Sequence, residues 1–298
     1  MEFPGGNGGN PGQSFHMIPI QQHCRVIIDN DWAGDPDGLI GLAHHALSPA
    51  NRIVAVTSSL TNPMFGPPEG MAKAGADLAA DLLRVLDYPD RPTVHAGPDS
   101  PFTGETRGTG AARAIVDAAT GADGVRLFLV CAGPLTNVAD ALLLEPELTS
   151  LITLVWVGGS ARADNADEYN YFTDPAAAEF VLGNQRLDIW QFPSETYRRL
   201  VVSVAELDHA LRKSGPAGTW LWDVFNGLKV PDFIKFGPLW CLGDSAPLIV
   251  TGLGDMTSSF EQTSESPDRR IYTDVDSRLV IADFFARLEL HAARQAGN

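Results

Sequence analysis

The sequence predicts an α/β fold with a largely parallel central sheet, helices on both faces and a helical C-terminal part. Two observations carry this prediction. From Cys24 onward, short β-branched and apolar runs alternate with longer segments of helical spacing, which is typical of parallel strands joined by crossover helices. After Ser203 the helical patterns dominate.

The predicted strands are short, apolar and bounded by turn residues. They cover residues 25–29, 52–58, 93–96, 126–131, 151–157 and 187–192. The predicted helices cover residues 38–47, 69–86, 110–119, 136–144, 174–182, 204–212, 219–228 and 281–296. Asp174 with Pro175 supplies a helix cap and a first-turn proline, and Thr136 is expected to cap its own helix. This alternation predicts a Rossmann-like arrangement.

Composition limits the class of protein. The chain has 298 residues, 44% of them hydrophobic, which is enough to bury a full domain core. Its formal net charge of -16, from 21 Lys and Arg against 37 Asp and Glu, opposes broad contact with a phosphate backbone. The sequence contains no apolar run of membrane-spanning length. We therefore expect neither nucleic acid nor a membrane as a partner.

The cysteines and the N-terminal residues give two further expectations. Cys24, Cys131 and Cys241 are odd in number and widely spaced, which argues against a disulfide framework and a zinc site and favours a cytoplasmic location. Residues 1–22 are rich in Gly, Pro, Asn and Gln, so we expect a disordered leader, with Met17 as a candidate natural start. Residues 23–298 are expected to form a single domain.

The segment 29–37 carries the most chemical information, because it places four carboxylates directly after the first predicted strand. These are Asp29, Asp31, Asp35 and Asp37. Carboxylates this close repel one another unless a cation lies among them, and α/β sheets bind ligands at the C-terminal ends of their strands. A hard divalent ion, Ca²⁺ or Mg²⁺, matches all-oxygen ligands. The alternative is a solvated acidic loop with an Asp helix cap.

Other polar strand ends are expected to meet this loop at the same edge of the sheet. They are residues 57–62, the turn 132–137, Gly158-Gly159-Ser160 and the later Glu168-Tyr169-Asn170. Asp244 is an isolated acid within an apolar stretch. A buried Asp needs a partner, and a metal ion would be one.

In this order the motifs resemble those of the inosine-uridine type nucleoside hydrolases. That family opens with a strand and Asp-x-Asp-x-x-x-Asp-Asp, followed by Gly-Pro-Leu-Thr-Asn, Gly-Gly, Glu-Phe-Asn with Asp-Pro-Glu-Ala, and a late His-Asp. The matching positions are Asp29, Asp31 and Asp35; Gly133-Pro134-Leu135-Thr136-Asn137; Gly158-Gly159; Glu168-Tyr169-Asn170 with Asp174-Pro175-Ala176-Ala177; and Gly243-Asp244. Order and approximate spacing hold from about Arg25 to about Leu248.

The resemblance implies that one Ca²⁺ is bound and that the N-glycosidic bond of ribonucleosides is hydrolysed through an oxocarbenium-like transition state. It makes Asp31 both a metal ligand and the general base for a water whose pKa the metal lowers. The other implied metal ligands are Asp37, Asp244 and the carbonyl of Ala132. The implied ribose-binding residues are Asp35, Asn62, Glu168 and Asn170. It also implies a homodimer or homotetramer.

Two positions depart from the family pattern. Pro36 separates Asp35 from Asp37 where the family has adjacent acids, and we expect the loop to bulge so that Asp37 still reaches the metal. Gly243 replaces a His that can protonate the leaving base, so stacking on an aromatic wall would favour purines, with His95 as a candidate acid. The candidates for this wall are Trp32, Trp240, Trp222, Tyr169 and Phe102.

Two other functions fit parts of the sequence. A phosphatase of the haloacid dehalogenase kind also opens with a strand and Asp-x-Asp and binds Mg²⁺, but it needs a phosphate-neutralising Lys at a strand end. The lysines, none in a suitable setting, are Lys73, Lys213, Lys229 and Lys235. A nucleoside- or sugar-binding module without turnover would keep the pocket, but it would not need Asp31 as a base.

Overall fold

A computed structural model describes residues 20–34, 36–121, 124–161, 168–228, 237–262 and 267–297. The strands are β1 Cys24–Asn30, β2 Asn51–Ser58, β3 Val94–Ala96, β4 Arg126–Cys131, β5 Thr153–Val157, β6 Asp188–Phe192, β7 Val201–Ser203, β8 Leu239–Cys241, β9 Ser259–Gln262 and β10 Arg269–Asp274. The α-helices are α1 Pro36–Leu47, α2 Met71–Val85, α3 Gly110–Thr120, α4 Thr136–Leu144, α5 Tyr169–Thr173, α6 Pro175–Leu182, α7 Ser194–Tyr197, α8 Val204–Lys213, α9 Gly215–Asn226 and α10 Ser277–Ala296.

The main sheet has eight strands in the order β3-β2-β1-β4-β5-β6-β10-β9. Its neighbours pair in parallel except β9, which runs antiparallel to β10 at the edge. The strand order reverses between β1 and β4, the kind of switch point at which open α/β sheets bind ligands. The predicted α/β fold with a largely parallel, Rossmann-like sheet is therefore confirmed.

Side-chain alternation along β1 explains why helices cover both faces of the sheet. All seven residues of this strand are buried, as expected for a central parallel strand. Val26 and Ile28 join one apolar cluster, which includes residues of α1, α2, α9 and α10. Ile27 joins the other cluster, with residues of α3, α4 and α6. The period of two thus divides the core into two layers.

The part after Ser203 contains helices as predicted, and it also contains strands that the sequence did not predict. It contains α8, α9 and α10, but also β8, β9 and β10, and β10 extends the main sheet beside β6. β10 was not predicted, because its sequence begins with two arginines instead of apolar residues. The guanidinium of Arg270 lies 3.8 Å from the ring centroid of Trp190 and 4.8 Å from that of Phe260, so arginine stacking replaces aliphatic packing there.

The two predicted helix caps have different outcomes. Asp174 caps α6 as predicted, since its carboxylate accepts a hydrogen bond from the Ala177 amide at 3.2 Å. Thr136 does not cap α4, because it is the first residue of that helix and its hydroxyl donates to Asp174 at 2.7 Å. The prediction for Thr136 is therefore wrong by one position.

The N-terminal residues and the possibility of a membrane-spanning helix were also subjects of the sequence predictions. Residues 1–19 of the predicted leader lie outside the described residues, so both that prediction and the single domain over 23–298 stay predictions. In the described part of the chain, no helix combines the length and apolar character needed to cross a bilayer.

Candidate active site

Asp31 follows β1 at the switch point of the sheet. It is fully buried, and its backbone N–H donates to Oδ1 of Asn30 at 2.7 Å. The hydroxyl of Tyr169 donates to Asp31 Oδ2 at 3.0 Å. Gly133 makes room for this arrangement, because a Cβ there would lie 3.0 Å from the Asp31 backbone nitrogen and 3.2 Å from Oδ1. The carboxylate of Asp31 is therefore held in one orientation at the end of β1.

Asp29 occupies a different environment, although it belongs to the same motif. Its Oδ1 accepts hydrogen bonds from the Thr57 hydroxyl at 2.5 Å and the Asn137 amide at 2.7 Å, and the thiol of Cys131 donates to Oδ2 at 3.4 Å. Burial raises the pKa of Asp29 to about 6, against the lowering effect of these hydrogen bonds. Asp29 thus ties β1 to β2, β4 and α4 beneath the site.

Asp37 and Asp244 lie beside one another at the start of α1. Pro36 is the first residue of this helix, a position that suits proline, and Asp37 lies in its first turn. The Asp244 backbone N–H donates to Asp37 Oδ2 at 3.4 Å, and the Asn30 amide donates to Asp244 Oδ2 at 2.7 Å. The one-residue bulge expected around Pro36 stays a prediction, because Asp35 lies outside the described residues.

Two glycines on one face of α1 allow the Asp244 turn to approach. A Cβ at Gly38 would lie 2.4 Å from the Asn30 amide nitrogen and 3.3 Å from Asp244 Oδ2. A Cβ at Gly41 would lie 2.9 Å from the Asp244 carbonyl oxygen. Gly38 and Gly41 are three residues apart, which places them on the same face of the helix. This spacing could have predicted the close approach of the Asp244 turn, but the sequence analysis did not use it.

The donor set suits a hard divalent cation. Asp31, Asp37 and Asp244 are 0%, 7% and 6% exposed, and buried carboxylates grouped in this way are costly without a compensating charge. Asn170, which is an expected ribose ligand, also has a buried Oδ1 with no hydrogen-bond partner among the described residues. Across the same residues, no three His, Cys, Asp or Glu side chains are grouped closely enough to hold a metal ion. By their chemistry the three carboxylates suit a hard divalent cation, but they would have to move closer together to hold one.

The expected metal carbonyl and the expected ribose ligands are partly engaged with the protein itself. Asn170 donates from Nδ2 to the carbonyl of Ala132 at 3.1 Å and to that of Val157 at 2.8 Å. Glu168 caps α5 and accepts hydrogen bonds from the Gly159 and Tyr171 amides at 2.6 and 2.8 Å. A carbonyl keeps a second lone pair, so Ala132 can still accept another contact.

Asn62 lies in the loop that follows β2, four residues after the end of this strand at Ser58. Its Oδ1 accepts from the Met64 amide at 3.0 Å and its Nδ2 donates to Thr173 at 2.8 Å. Its Oδ1 therefore stabilises the loop itself, and its Nδ2 ties the loop to α5. The expected contact of Asn62 with the sugar stays a prediction.

A cavity of about 340 Å³ opens beside the acids. Its lining includes Asp37, Asp244, Tyr169, Asn170, Tyr197 and Trp240. A larger cavity of about 740 Å³ borders Asn51 and Arg52, at the opposite, N-terminal end of β2. We take the smaller cavity as the candidate active site, because ligands of open α/β sheets bind at the C-terminal strand ends.

The proposed aromatic wall divides into cavity residues and core residues. Tyr169 and Trp240 line the cavity. The other three candidates, Trp32, Trp222 and Phe102, are 2%, 6% and 9% exposed and pack in the core. The Trp32 indole donates to the Thr57 carbonyl at 3.0 Å, since the turn after β1 folds this side chain back onto β2. This position does not support the stacking role expected for Trp32. Tyr197 is a cavity residue that no sequence motif indicated.

The raised pKa of Asp29 predicts a specific pH dependence of stability. Between the ordinary pKa of 3.8 and the folded value of about 6, the folded state binds the proton more tightly than the unfolded state. The contribution of Asp29 to stability therefore falls as pH rises through this window, by about 3 kcal/mol for a shift of roughly two units. Asp29→Asn removes this slope, so the variant gains stability relative to the wild type from pH 4 to 7. Urea unfolding in EDTA at several pH values measures it, and parallel curves would contradict it.

Comparison with known proteins completes the description of the site. The sequence model of the family "Inosine-uridine preferring nucleoside hydrolase" matches residues 26–261. The pyrimidine-specific ribonucleoside hydrolase RihB of Shigella sonnei is 28% identical over 141 residues, 46% of this chain and 44% of the relative. The chain therefore matches less than half the length of this curated relative.

Solved structures show the same fold at low sequence identity. An inosine-guanosine nucleoside hydrolase superposes with a TM-score of 0.70 at 19% identity, covering 90% of this chain and 99% of the other. The inosine-uridine preferring nucleoside hydrolase from Bacillus anthracis gives a TM-score of 0.64 at 16% identity with the same coverage. Members of the family generally use a metal ion. The match over residues 26–261 shows that this chain belongs to the inosine-uridine preferring nucleoside hydrolase family.

Proposed function

We propose that this chain hydrolyses the N-glycosidic bond of ribonucleosides with the help of Ca²⁺, giving the free base and ribose, and that it prefers purine nucleosides. The observation that carries the proposal is the buried carboxylate of Asp31, oriented by Tyr169 next to a cavity that Asp37 and Asp244 line. The match to the family supplies the reaction class.

The chemistry assigns a separate task to each group of residues. Asp31, Asp37, Asp244 and the Ala132 carbonyl would hold the ion. When bound, this ion would lower the pKa of the attacking water and fix the ribose hydroxyls. Asp31 would accept the proton of that water as it attacks the anomeric carbon, while the bonding electrons leave with the base. The unpartnered Oδ1 of Asn170 would accept from a ribose hydroxyl, and Asp35, Asn62 and Glu168 are proposed to bind the others.

The direct test is release of free base by the full chain. The protein is incubated with inosine, adenosine, uridine and cytidine in Ca²⁺ and in EDTA, and base and reducing sugar are quantified. Hydrolysis that stops in EDTA is the expected result. Nucleoside binding without cleavage would favour a binding module, and phosphate release from sugar phosphates would favour a phosphatase.

The positions of the described lysines argue against a phosphatase. Lys73 pairs with Asp77 at 2.5 Å, and Lys213 pairs with Glu289 at 2.9 Å, all on exposed helix faces. Lys229 and Lys235 lie outside the described residues. No described lysine therefore faces the cavity that contains Asp37 and Asp244.

The purine preference follows from the missing acid and is measured separately. Gly243 offers no proton to the leaving base, whereas a purine ring stacked on Trp240 can take a proton from solvent. Stacking contributes only about 0.5–1.5 kcal/mol beyond area burial, so we expect roughly a tenfold preference at most. Values of kcat/KM for inosine and adenosine should exceed those for uridine and cytidine. Equal values would show that another acid protonates the base, and the pyrimidine-specific name of RihB makes this comparison informative.

A cytoplasmic location and a homodimer or homotetramer belong to the same proposal. The three cysteines are free thiols, which supports a reducing compartment. Gel filtration with light scattering measures the assembly.

A further inference from the structure

Position 243 has no room for a side chain. A Cβ built on Gly243 would lie 2.6 Å from Cδ2 of the Tyr197 ring and 3.4 Å from Sγ of Cys241. The backbone of Gly243 does not adopt a positive φ, so its conformation alone would accept any residue. Glycine is therefore required at position 243 by the ring of Tyr197.

The Tyr197 ring is held firmly where it lies. Its hydroxyl donates to Oε1 of Glu168 at 2.8 Å, while the other oxygen of that carboxylate accepts from the Gly159 and Tyr171 amides at 2.6 and 2.8 Å. The Tyr197 carbonyl accepts from the Leu200 amide at 3.0 Å. Moving the ring away from position 243 would break the hydrogen bond to a carboxylate that is only 3% exposed.

The ring also borders the candidate active site. Tyr197 lines the cavity together with Trp240, Asp37 and Asp244. Trp240 is itself fixed by an edge contact with Phe225, at 4.8 Å between ring centroids. The two aromatic rings thus form a rigid part of the cavity wall next to Gly243. Gly243 directly precedes Asp244 in the sequence.

We propose that Tyr197 is a specificity-determining residue of this chain: its ring takes the space of a side chain at position 243 and forms, with Trp240, the wall against the departing base. This inference rests on the proposed nucleoside hydrolysis. It adds that the Tyr197 ring occupies the space that a side chain at position 243 would need, which we call the shared volume. Burial, and then the neighbouring Glu168 carboxylate, raise the pKa of Tyr197, so its hydroxyl stays protonated. The wall therefore presents an aromatic surface on which a purine base can stack, while the Tyr197 hydroxyl donates to Glu168.

The shared volume is tested first by stability, without any substrate. Gly243→Ala should lower Tm by about 3–8 °C, the effect of overpacking a well-packed site. The same change in a Tyr197→Leu background should lower Tm much less, because the ring is gone. Gly237→Ala is the matched control, since a Cβ at Gly237 on the same cavity meets no atom of the described residues within 4 Å. Additive Tm changes, or equal effects at positions 243 and 237, would overturn the proposal.

The role in specificity is tested by kinetics and by binding of a free base. Tyr197→Phe should lower kcat/KM for all nucleosides while leaving the ratio of inosine to uridine unchanged. The double variant Tyr197→Leu with Gly243→His should shift that ratio toward uridine by at least about tenfold and add an acidic group to the pH profile of kcat. An unchanged ratio in the double variant would refute the role in specificity.

Failure of the proposed function gives a different pattern of results. If the wild type cleaves no nucleoside, the hydrolase proposal fails, while the Tm experiment still judges the shared volume. Calorimetric titration with hypoxanthine then tests whether Tyr197 contacts the base, since Tyr197→Leu should weaken hypoxanthine binding about tenfold. Equal affinity of hypoxanthine for wild type and variant would refute the role of Tyr197 as a base-contacting wall.

Discussion

Replacing Asp31 by Asn is expected to lower kcat/KM for nucleosides by at least about 10²-fold, because general-base catalysis contributes about 10²–10⁴-fold and a metal ligand is lost as well. The fold should survive. The Tyr169 hydroxyl, now 3.0 Å from Oδ2, can donate equally to the amide oxygen of Asn, and loss of one charge relieves repulsion from Asp37 and Asp244.

The experiment compares Asp31→Asn with Asp81→Asn, an exposed acid on α2 whose side chain is 55% exposed. Initial rates with inosine give kcat and KM, while circular dichroism and Tm report the fold. Asp81→Asn should keep wild-type kinetics. A folded Asp31→Asn protein with near-normal turnover would show that another group activates the water, and the assignment of Asp31 would then be wrong.

The sequence predicted the part of the fold that depends on local periodicity. β1 contains the apolar, β-branched run Val26-Ile27-Ile28, and this run predicts both the strand and its burial on two faces. It also located the acids, because strand ends of a parallel sheet converge and Asp244 stands alone in an apolar stretch. Asp37 and Asp244 line one cavity, which agrees with this reasoning, although the metal itself stays a prediction.

The remaining features depend on contacts between distant parts of the chain, which periodicity does not encode. Asp29 and Asp31 belong to the same sequence motif, and the motif does not distinguish their roles. The Asp29 carboxylate accepts hydrogen bonds from Thr57, Asn137 and Cys131, which lie on three other elements. Tyr197 meets Gly243 across a separation of 46 positions, and its own segment carries no motif. β10 was not predicted because Arg270 packs in the sheet through its contacts with the rings of Trp190 and Phe260, which lie far away in the sequence.

Replacing Asp37 or Asp244 by Asn is expected to weaken Ca²⁺ binding by at least about 100-fold, more than the 10–100-fold that residues behind the metal ligands typically contribute. Ca²⁺ takes six to eight oxygen ligands, so each carboxylate carries a large share of both charge and coordination. Calorimetric titration of the full chain with Ca²⁺ alone, after EDTA treatment and dialysis, measures the affinity without requiring any activity.

The comparison between the two variants also decides the role of Pro36. Asp37 is the first helical acid after this proline, and its Oδ2 accepts the Asp244 amide at 3.4 Å, which keeps the two acids adjacent. If only Asp244→Asn weakens Ca²⁺ binding, Asp37 is not a ligand and Pro36 has displaced the acid that the family places there. If neither variant weakens it, the ion does not bind at this cavity. Asp223→Asn, at an exposed position on α9, is the matched control and should bind Ca²⁺ as the wild type does.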